Sequence, residues 1–275
     1  MRVLKALMWL AVGLVVVAVG YVLFFSGIEA ALRWFFSVTN FTASKVPNFA
    51  HNLRLGAEIT IKLTVISSIT GLILGLFAGI ARLSKNPLFR WPAQFYIWVI
   101  RGTPLLVQIL FAYSALPFLL EPVWGYLQPY GVPPIHDVLT PFWAAFIALS
   151  VNVGAYNAEV VRAGIQAISK GQWEAAMSLG MKPLQVMRYV IVPQAIKVVV
   201  PPLVNNVIAL LKDSSLASAI TLPELVQQSQ RMISITFRPV EVYTAAAAIY
   251  LLLTTVLTFF TDWLEREMAK RGAAT

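Results

Sequence analysis

The sequence predicts an all-α, polytopic membrane protein with about six membrane-spanning helices. Three observations predict it. Hydrophobic residues make up 59% of the 275-residue chain and charged residues 12%, about half the charge of an ordinary soluble domain. Mean hydropathy is +0.75. The apolar residues fall in runs of about 20, the length that crosses the hydrocarbon layer, with Lys and Arg collected between them. The formal charge of +9 is therefore scattered in pairs and triplets, a distribution set by membrane topology rather than by a nucleic-acid partner. The chain has no cysteine, which excludes disulfides, Cys-based metal sites and thiol chemistry. His51 and His136 stand apart and read as loop residues, so no metal site is expected.

Five stretches pass as spans without interruption: 6–25, 58–81, 141–163, 186–211 and 242–262. A sixth, 93–120, passes despite Arg101 and Pro104. Orientation follows from Lys and Arg near the span ends. Eleven (Arg2, Lys5, Arg82, Lys85, Arg90, Lys170, Lys182, Arg188, Arg266, Lys270, Arg271) lie on one side and five (Arg33, Lys45, Arg54, Arg231, Arg238) on the other. Both termini and the 82–92 and 164–185 loops are thus expected in the cytoplasm. The 121–140 loop holds no Lys or Arg, which suits the outer face.

The first span follows Arg2 and Lys5 and reads as an uncleaved anchor, since its apolar run exceeds a signal core and its small-residue cleavage pattern is poor. Residues 26–56 look too broken to span, and "EAALRWFFSV" is expected along the outer interface with Trp34 and Phe35 as anchors. Asn40-Phe41-Thr42 matches a glycosylation sequon, a pattern short enough to occur by chance. In the second span Gly71, Gly75 and Gly79 recur every four residues and predict a face where two helix backbones approach closely.

Between the fourth and fifth spans lies "ISKGQWEAAMSLGMKPLQ", residues 168–185. Ser169 and Gln172 have capping-box spacing, Gly180 supplies a left-handed stop, and Pro183 prevents continuation. Trp173, Ala176 and Met177 are expected to rest on other helices while Glu174, beside Ala175, faces away. The element reads either as a surface connector or as a rigid docking rod.

"EAAMSLGMKPLQVMRYVIVPQAI" resembles the EAA loop of the membrane subunits of binding-protein-dependent ABC importers. Glu174, Ala175, Ala176, Gly180 and Pro193 match that signature, while Val190 and Val192 replace its usual Ile and Leu. "RGTPLLVQ" (101–108), "AEVVRAGIQAISKGQWEAA" and "LLKDSSLASAI" (210–220) resemble the polar amino acid permeases of that family. The resemblance runs from about residue 52 to 265. It implies a type I importer permease domain (52–265) with a five-helix core. Preceding it are an N-terminal anchor and extracytoplasmic interfacial segment (1–51), and following it a cytoplasmic tail (266–275). Segment 169–181 would be the coupling helix, meeting an ATPase through Trp173, Glu174, Ala175, Ala176 and Gly180.

Charged groups at helix centres cost about 2.5–3.5 kcal/mol on insertion scales and are functional candidates. Asn152, Tyr156 and Glu159 stack along one face of the fourth span. In the fifth, Asn205, Ala209 and Lys212 do the same, and Asp213 follows Asn206 by seven. With Thr103, Gln108, Arg101 and Ser215 these form the expected lining of an aqueous path; the alternative is hydrogen-bonding glue between helices. Pro104 bends Thr103 out of its helix, which at membrane depth requires burial in protein or a water-filled cavity. Arg101 has three possible partners, a substrate carboxylate, Glu159 or lipid phosphate, with a structural ion pair expected first. Pro201-Pro202 is expected to bend the fifth span, and 214–222 to form a re-entrant or gate-like turn.

No phosphate-binding G-x-x-x-x-G-K-[ST] loop occurs, nor H-E-x-x-H or G-x-S-x-G, so no catalytic residue is assigned. The resemblance implies that ATP and magnesium bind on partner ATPase subunits. It also implies a multi-pass permease of a bacterial inner membrane. Its partners would be two ATPases, a second permease chain (identical or homologous), an extracytoplasmic binding protein and an amino acid substrate. The rivals are a self-sufficient secondary transporter, also built with broken helices, and a membrane scaffold without transport.

Overall fold

The computed structural model describes the backbone of residues 2–38 and 48–273 and the side chains of residues 20–38 and 48–267. The Asn40-Phe41-Thr42 sequon and Lys45 lie outside the described residues, as do the side chains of Arg2, Lys5, Lys270 and Arg271. Helices account for every long element: α1 (Arg2–Val38), α2 (Phe49–Leu83), α3 (Pro87–Gly102), α4 (Leu105–Leu110), α5 (Leu116–Trp124), α6 (Ile135–Val138), α7 (Pro141–Gln166), α8 (Lys170–Ser178), α9 (Pro183–Val186), α10 (Val192–Asp213), α11 (Leu225–Thr236) and α12 (Pro239–Ala273). Six described stretches are long and apolar enough to cross a bilayer: Gly20–Val38, Phe49–Leu83, Leu105–Trp124, Pro141–Gln166, Pro183–Ile220 and Pro239–Glu267. His51 and His136, expected in loops, lie in α2 and α6.

The chain divides into two compact units, residues 1–59 with 223–251 and residues 60–222 with 252–275. In the first unit α1 does not stop at residue 25, and "EAALRWFFSV" continues the same helix. The reason is helical spacing. Phe25, Ile28, Leu32 and Phe36 are all buried, and Phe36 meets Phe49 of α2 edge-on at 4.1 Å. Glu29 lies between Arg33 at 2.7 Å and, from α2, Arg54 at 3.4 Å and His51 at 3.6 Å. In the same unit Glu224 is fully buried. It caps α11, accepting from the backbone N–H groups of Val226 (2.9 Å) and Gln227 (2.8 Å), and takes the Tyr250 hydroxyl at 3.2 Å. A buried carboxylate is tolerable because its oxygens are so occupied.

The second unit is organised around α7. A Cβ on Gly71 would come within 3.1 Å of Ser150 O, on Gly75 within 3.0 Å of Gly154 O, and on Gly79 within 2.8 Å of Ala158 O. The expected packing face is real, and the matched order of contacts makes α2 and α7 parallel, as the second and fourth of alternating spans must be. α10 is antiparallel to α7: Asn206 bonds Asn157 at 2.8 Å, and a Cβ on Gly164, seven residues later, would collide with Val199.

Prolines shape the remaining spans in three ways. Thr103 leaves the helix with φ −120° and ψ 145°, as predicted, so a break separates α3 from the Leu105–Trp124 stretch that is long and apolar enough to cross. Turns of π-helix at Phe111–Ala115 and Met187–Ile191 each precede a proline, Pro117 and Pro193, by the same step. A widened turn relieves the clash between a proline ring and the preceding carbonyl. At Pro201-Pro202 the helix is not interrupted: α10 runs through both. Residues 214–220 form a 3₁₀ continuation of α10 that ends at a left-handed Thr221, φ 59°. Ser214, Ala217 and Ile220 are buried at its period of three.

Candidate functional site

Two places carry unusual chemistry, both in the second unit. The first is α8. Ser169 occupies its N-cap, but its side chain makes no capping bond, so the expected Ser169/Gln172 box does not form. A reciprocal bond of that kind appears at the next helix, where the Lys182 N–H donates to Gln185 Oε1 at 2.8 Å. The other end is as predicted. Gly180 is left-handed, φ 77°, its N–H donates to Met177 O at 2.9 Å, and Met181 N–H reaches back to Ala176 O at 3.3 Å. This is a Schellman closure, which uses up carbonyls otherwise left open. Pro183 then begins α9 at its first position, where its missing N–H costs nothing.

α8 is seated by one side. Ala176 is buried with Val186 and Ile191, and Ile165, Ile168, Trp173 and Met181 close around them. Glu174 and Ala175 face out, as expected. Met177 does not rest on other helices: it is 51% exposed, beside Leu179 at 83% and Leu184 at 79%. The five predicted docking residues therefore divide into Glu174 and Ala175 on the open face, Trp173 and Ala176 in the seat, and Gly180 as the stop. Met177, Leu179 and Leu184 were missed as outward residues because spacing alone does not say which flank of a short helix is covered.

The second place is a cavity of about 400 Å³ lined by Thr103, Pro104, Asn152, Tyr156, Asn206 and Asp213, with Leu105, Val153, Ala209, Leu210 and Leu216 between them. The broken helix supplies one wall, α7 another and α10 a third. Of the expected path residues, Thr103, Asn152, Tyr156 and Asp213 are brought together here. Asn205, Lys212 and Ser215 are not in the lining; of the two stripes expected on α10, the one of Asn206 and Asp213 faces the cavity. Turning α10 by one residue, about 100°, selects Asn206 and Asp213, seven apart.

Glu159 and Arg101 form a cluster beside the cavity rather than part of its lining. Glu159 is paired with Arg82 of α2 and Arg162 of α7, and Arg101 reaches it at 4.0 Å. The Arg101 guanidinium also lies 5.2 Å from the Tyr156 ring centre, within cation–π range. The ion pair expected of Arg101 is present, but Arg82 and Arg162 hold the carboxylate more closely. Three guanidiniums against one carboxylate leave excess positive charge beside Tyr156. Arg82 had been read only as a topology signal and Arg162 not at all; Arg162 lies three residues from Glu159, a helical ion-pair spacing that could have flagged it. Gln108 also stands behind the polar wall: its oxygen accepts from Asn152 Nδ2 at 2.9 Å.

The family described as the binding-protein-dependent transport system inner membrane component matches residues 71–270. The chain is 37% identical over 228 residues to the probable amino-acid ABC transporter permease protein YckA of Bacillus subtilis, covering 83% of this chain and 93% of the relative. To the glutamine transport system permease protein GlnP of Escherichia coli it is 38% identical over 213 residues, 78% of this chain and 91% of that one. Among solved structures, that of an amino acid ABC transporter with histidines superposes with a TM-score of 0.70 at 37% identity, covering 85% of this chain and 98% of the other.

Proposed function

The chain belongs to the family of binding-protein-dependent transport system inner membrane components, and from that premise we propose that it is the permease subunit of an ATP-driven importer of polar amino acids. It is a multi-pass membrane chain and not an enzyme; a partner chain hydrolyses ATP, with its magnesium. In this reading residues 52–265 form the permease domain, the termini and α8 face the cytoplasm, and two permease chains, identical or homologous, enclose the path. Two ATPases grip the coupling helices, and an extracytoplasmic binding protein delivers the amino acid.

The observation that carries the reading is α8 itself: a short helix locked by the Gly180 closure, seated through Ala176, with Glu174, Ala175, Met177 and Leu179 left open. A locked rod transmits a push that a loop would absorb. ATP-driven approach of the ATPases displaces α8 and, through α7, the cavity wall. ATP and loaded binding protein both favour the outward state, so each strengthens the other's binding. Thr103, Asn152, Tyr156, Asn206 and Asp213 form the polar station on the path. Arg101 and Glu159 stand beside it, and Gln108 behind it.

Cysteines placed singly at Glu174, Ala175 and Met177 of this cysteine-free chain are expected to cross-link an ATPase in native membranes. Consistent failure to trap one overturns the docking role. Uptake by the purified chain alone, driven by an ion gradient in vesicles, favours a secondary transporter instead.

A further inference from the structure

Pro104 removes a donor from the third span, and the chain's response to that loss marks a joint. In an unbroken helix residue 103 would bond the Val99 carbonyl and residue 104 the Ile100 carbonyl. Proline has no N–H and Thr103 is extended, so the Ile100 carbonyl loses its helical donor at the point where α3 ends. Side chains donate to both carbonyls. Thr103 Oγ1 donates to Val99 O at 2.9 Å, and Gln108 Nε2 donates to Ile100 O at 2.8 Å. The same amide nitrogen lies 3.1 Å from Thr103 O and 2.8 Å from Thr103 Oγ1. Its partner oxygen accepts from Asn152 of α7 at 2.9 Å. One side chain on α4 thus holds the end of α3, the extended residue and α7.

We propose that Gln108 is a positioning residue that fastens the broken wall of the cavity to α7, so that the wall moves with the docking helix. The proposal rests on the coupling role given to α8 above. A splint alone would need only the bonds to Ile100 and Thr103. The further bond to Asn152 ties it to the helix that leads into α8: from Asn152, α7 continues unbroken to Gln166, about 21 Å at helical rise. Thr103 and Pro104 line the cavity on one side and Asn152 and Tyr156 on another. Gln108 sets the distance between those walls without lining the polar cavity.

The test uses the complete transporter, with its ATPase and binding protein, in vesicles with radiolabelled glutamine, arginine or cystine, whichever the wild type imports. Gln108→Leu is expected to lower the maximal import rate roughly tenfold or more, the scale of unpaired buried acceptors, and to raise the ATP consumed per molecule imported. The half-saturating concentration should stay within about twofold, because positioning rather than substrate contact is lost. Gln108→Asn, one methylene too short, should impair import similarly, and the added Asn152→Gln should restore part of it by returning the lost length. Independently of transport, a cysteine at Leu105 of the purified full chain should react with a maleimide faster in Gln108→Asn and slow again in the double variant. Wild-type failure to import would count against the function and leave the joint to this thiol readout. Unchanged import and labelling in both single variants, absence of rescue, or a raised half-saturation at unchanged maximal rate would overturn the positioning role.

Discussion

The chain breaks its helices in two contrasting ways. After α8 the break is made by Gly180 in open surroundings, and the backbone closes on itself through Met177 and Ala176. Between α3 and α4 the break is made by Thr103-Pro104 beside the cavity, and side chains do the closing. At the first site the backbone supplies its own closure, and at the second, beside the cavity, side chains supply the donors. The first kind of helix end needs only a residue that tolerates the left-handed region, while the second draws its donors from neighbouring elements. The first device depends on one residue; the second depends on three, drawn from α3–α4 and α7.

The comparison can be broken at either site. The largest effect is expected at the Thr103-Pro104 break: Gln108→Leu leaves the part-buried Ile100 carbonyl and Asn152 amide without their partner, at about 1–3 kcal/mol each, measured by thermal unfolding of the purified chain. Gly180→Leu comes next. A Cβ there meets nothing within 4 Å, so the cost is conformational, about 1–2 kcal/mol for a side chain in the left-handed region. It should uncouple ATP hydrolysis from uptake while leaving membrane insertion intact, read as the ratio of the two rates. Thr103→Val is expected to lose about 1 kcal/mol with the single bond to Val99. Smallest is Ser169→Ala. An N-cap residue ordinarily contributes about 1 kcal/mol, but Ser169 makes no capping bond, so its change should stay within about 0.5 kcal/mol. A larger loss would mean that α8 is held at its start as well as at its stop.

The same contrast explains what was legible. Gly180, the Thr103 break and the Gly71–Gly75–Gly79 face were readable because each rests on a local rule: a positive φ, a missing N–H, a four-residue period. The continuation of α1 past residue 25 was misread because "EAALRWFFSV" carries charges; Glu29 is accommodated by Arg54 and His51 of α2, partners more than twenty residues away. For a similar reason Asn205 and Asn206 were both legible as polar positions without a choice between them. Periodicity identifies a polar stripe, but only packing against α7 decides which neighbour turns toward Asn157.

Sequence alone determined the helical class, the number of crossings, the chain's lack of a nucleotide loop of its own, and the two helix breaks at Thr103-Pro104 and Gly180. Those follow from hydropathy, length and backbone sterics, which act within about one helical turn. Tertiary structure decided which flank of α8 stays open, which polar residues face the cavity, and that Gln108 serves a break four residues away while bonded to Asn152. These depend on donors and acceptors meeting across helices, and in a medium without water each such meeting is set by the partner helix as much as by the residue itself.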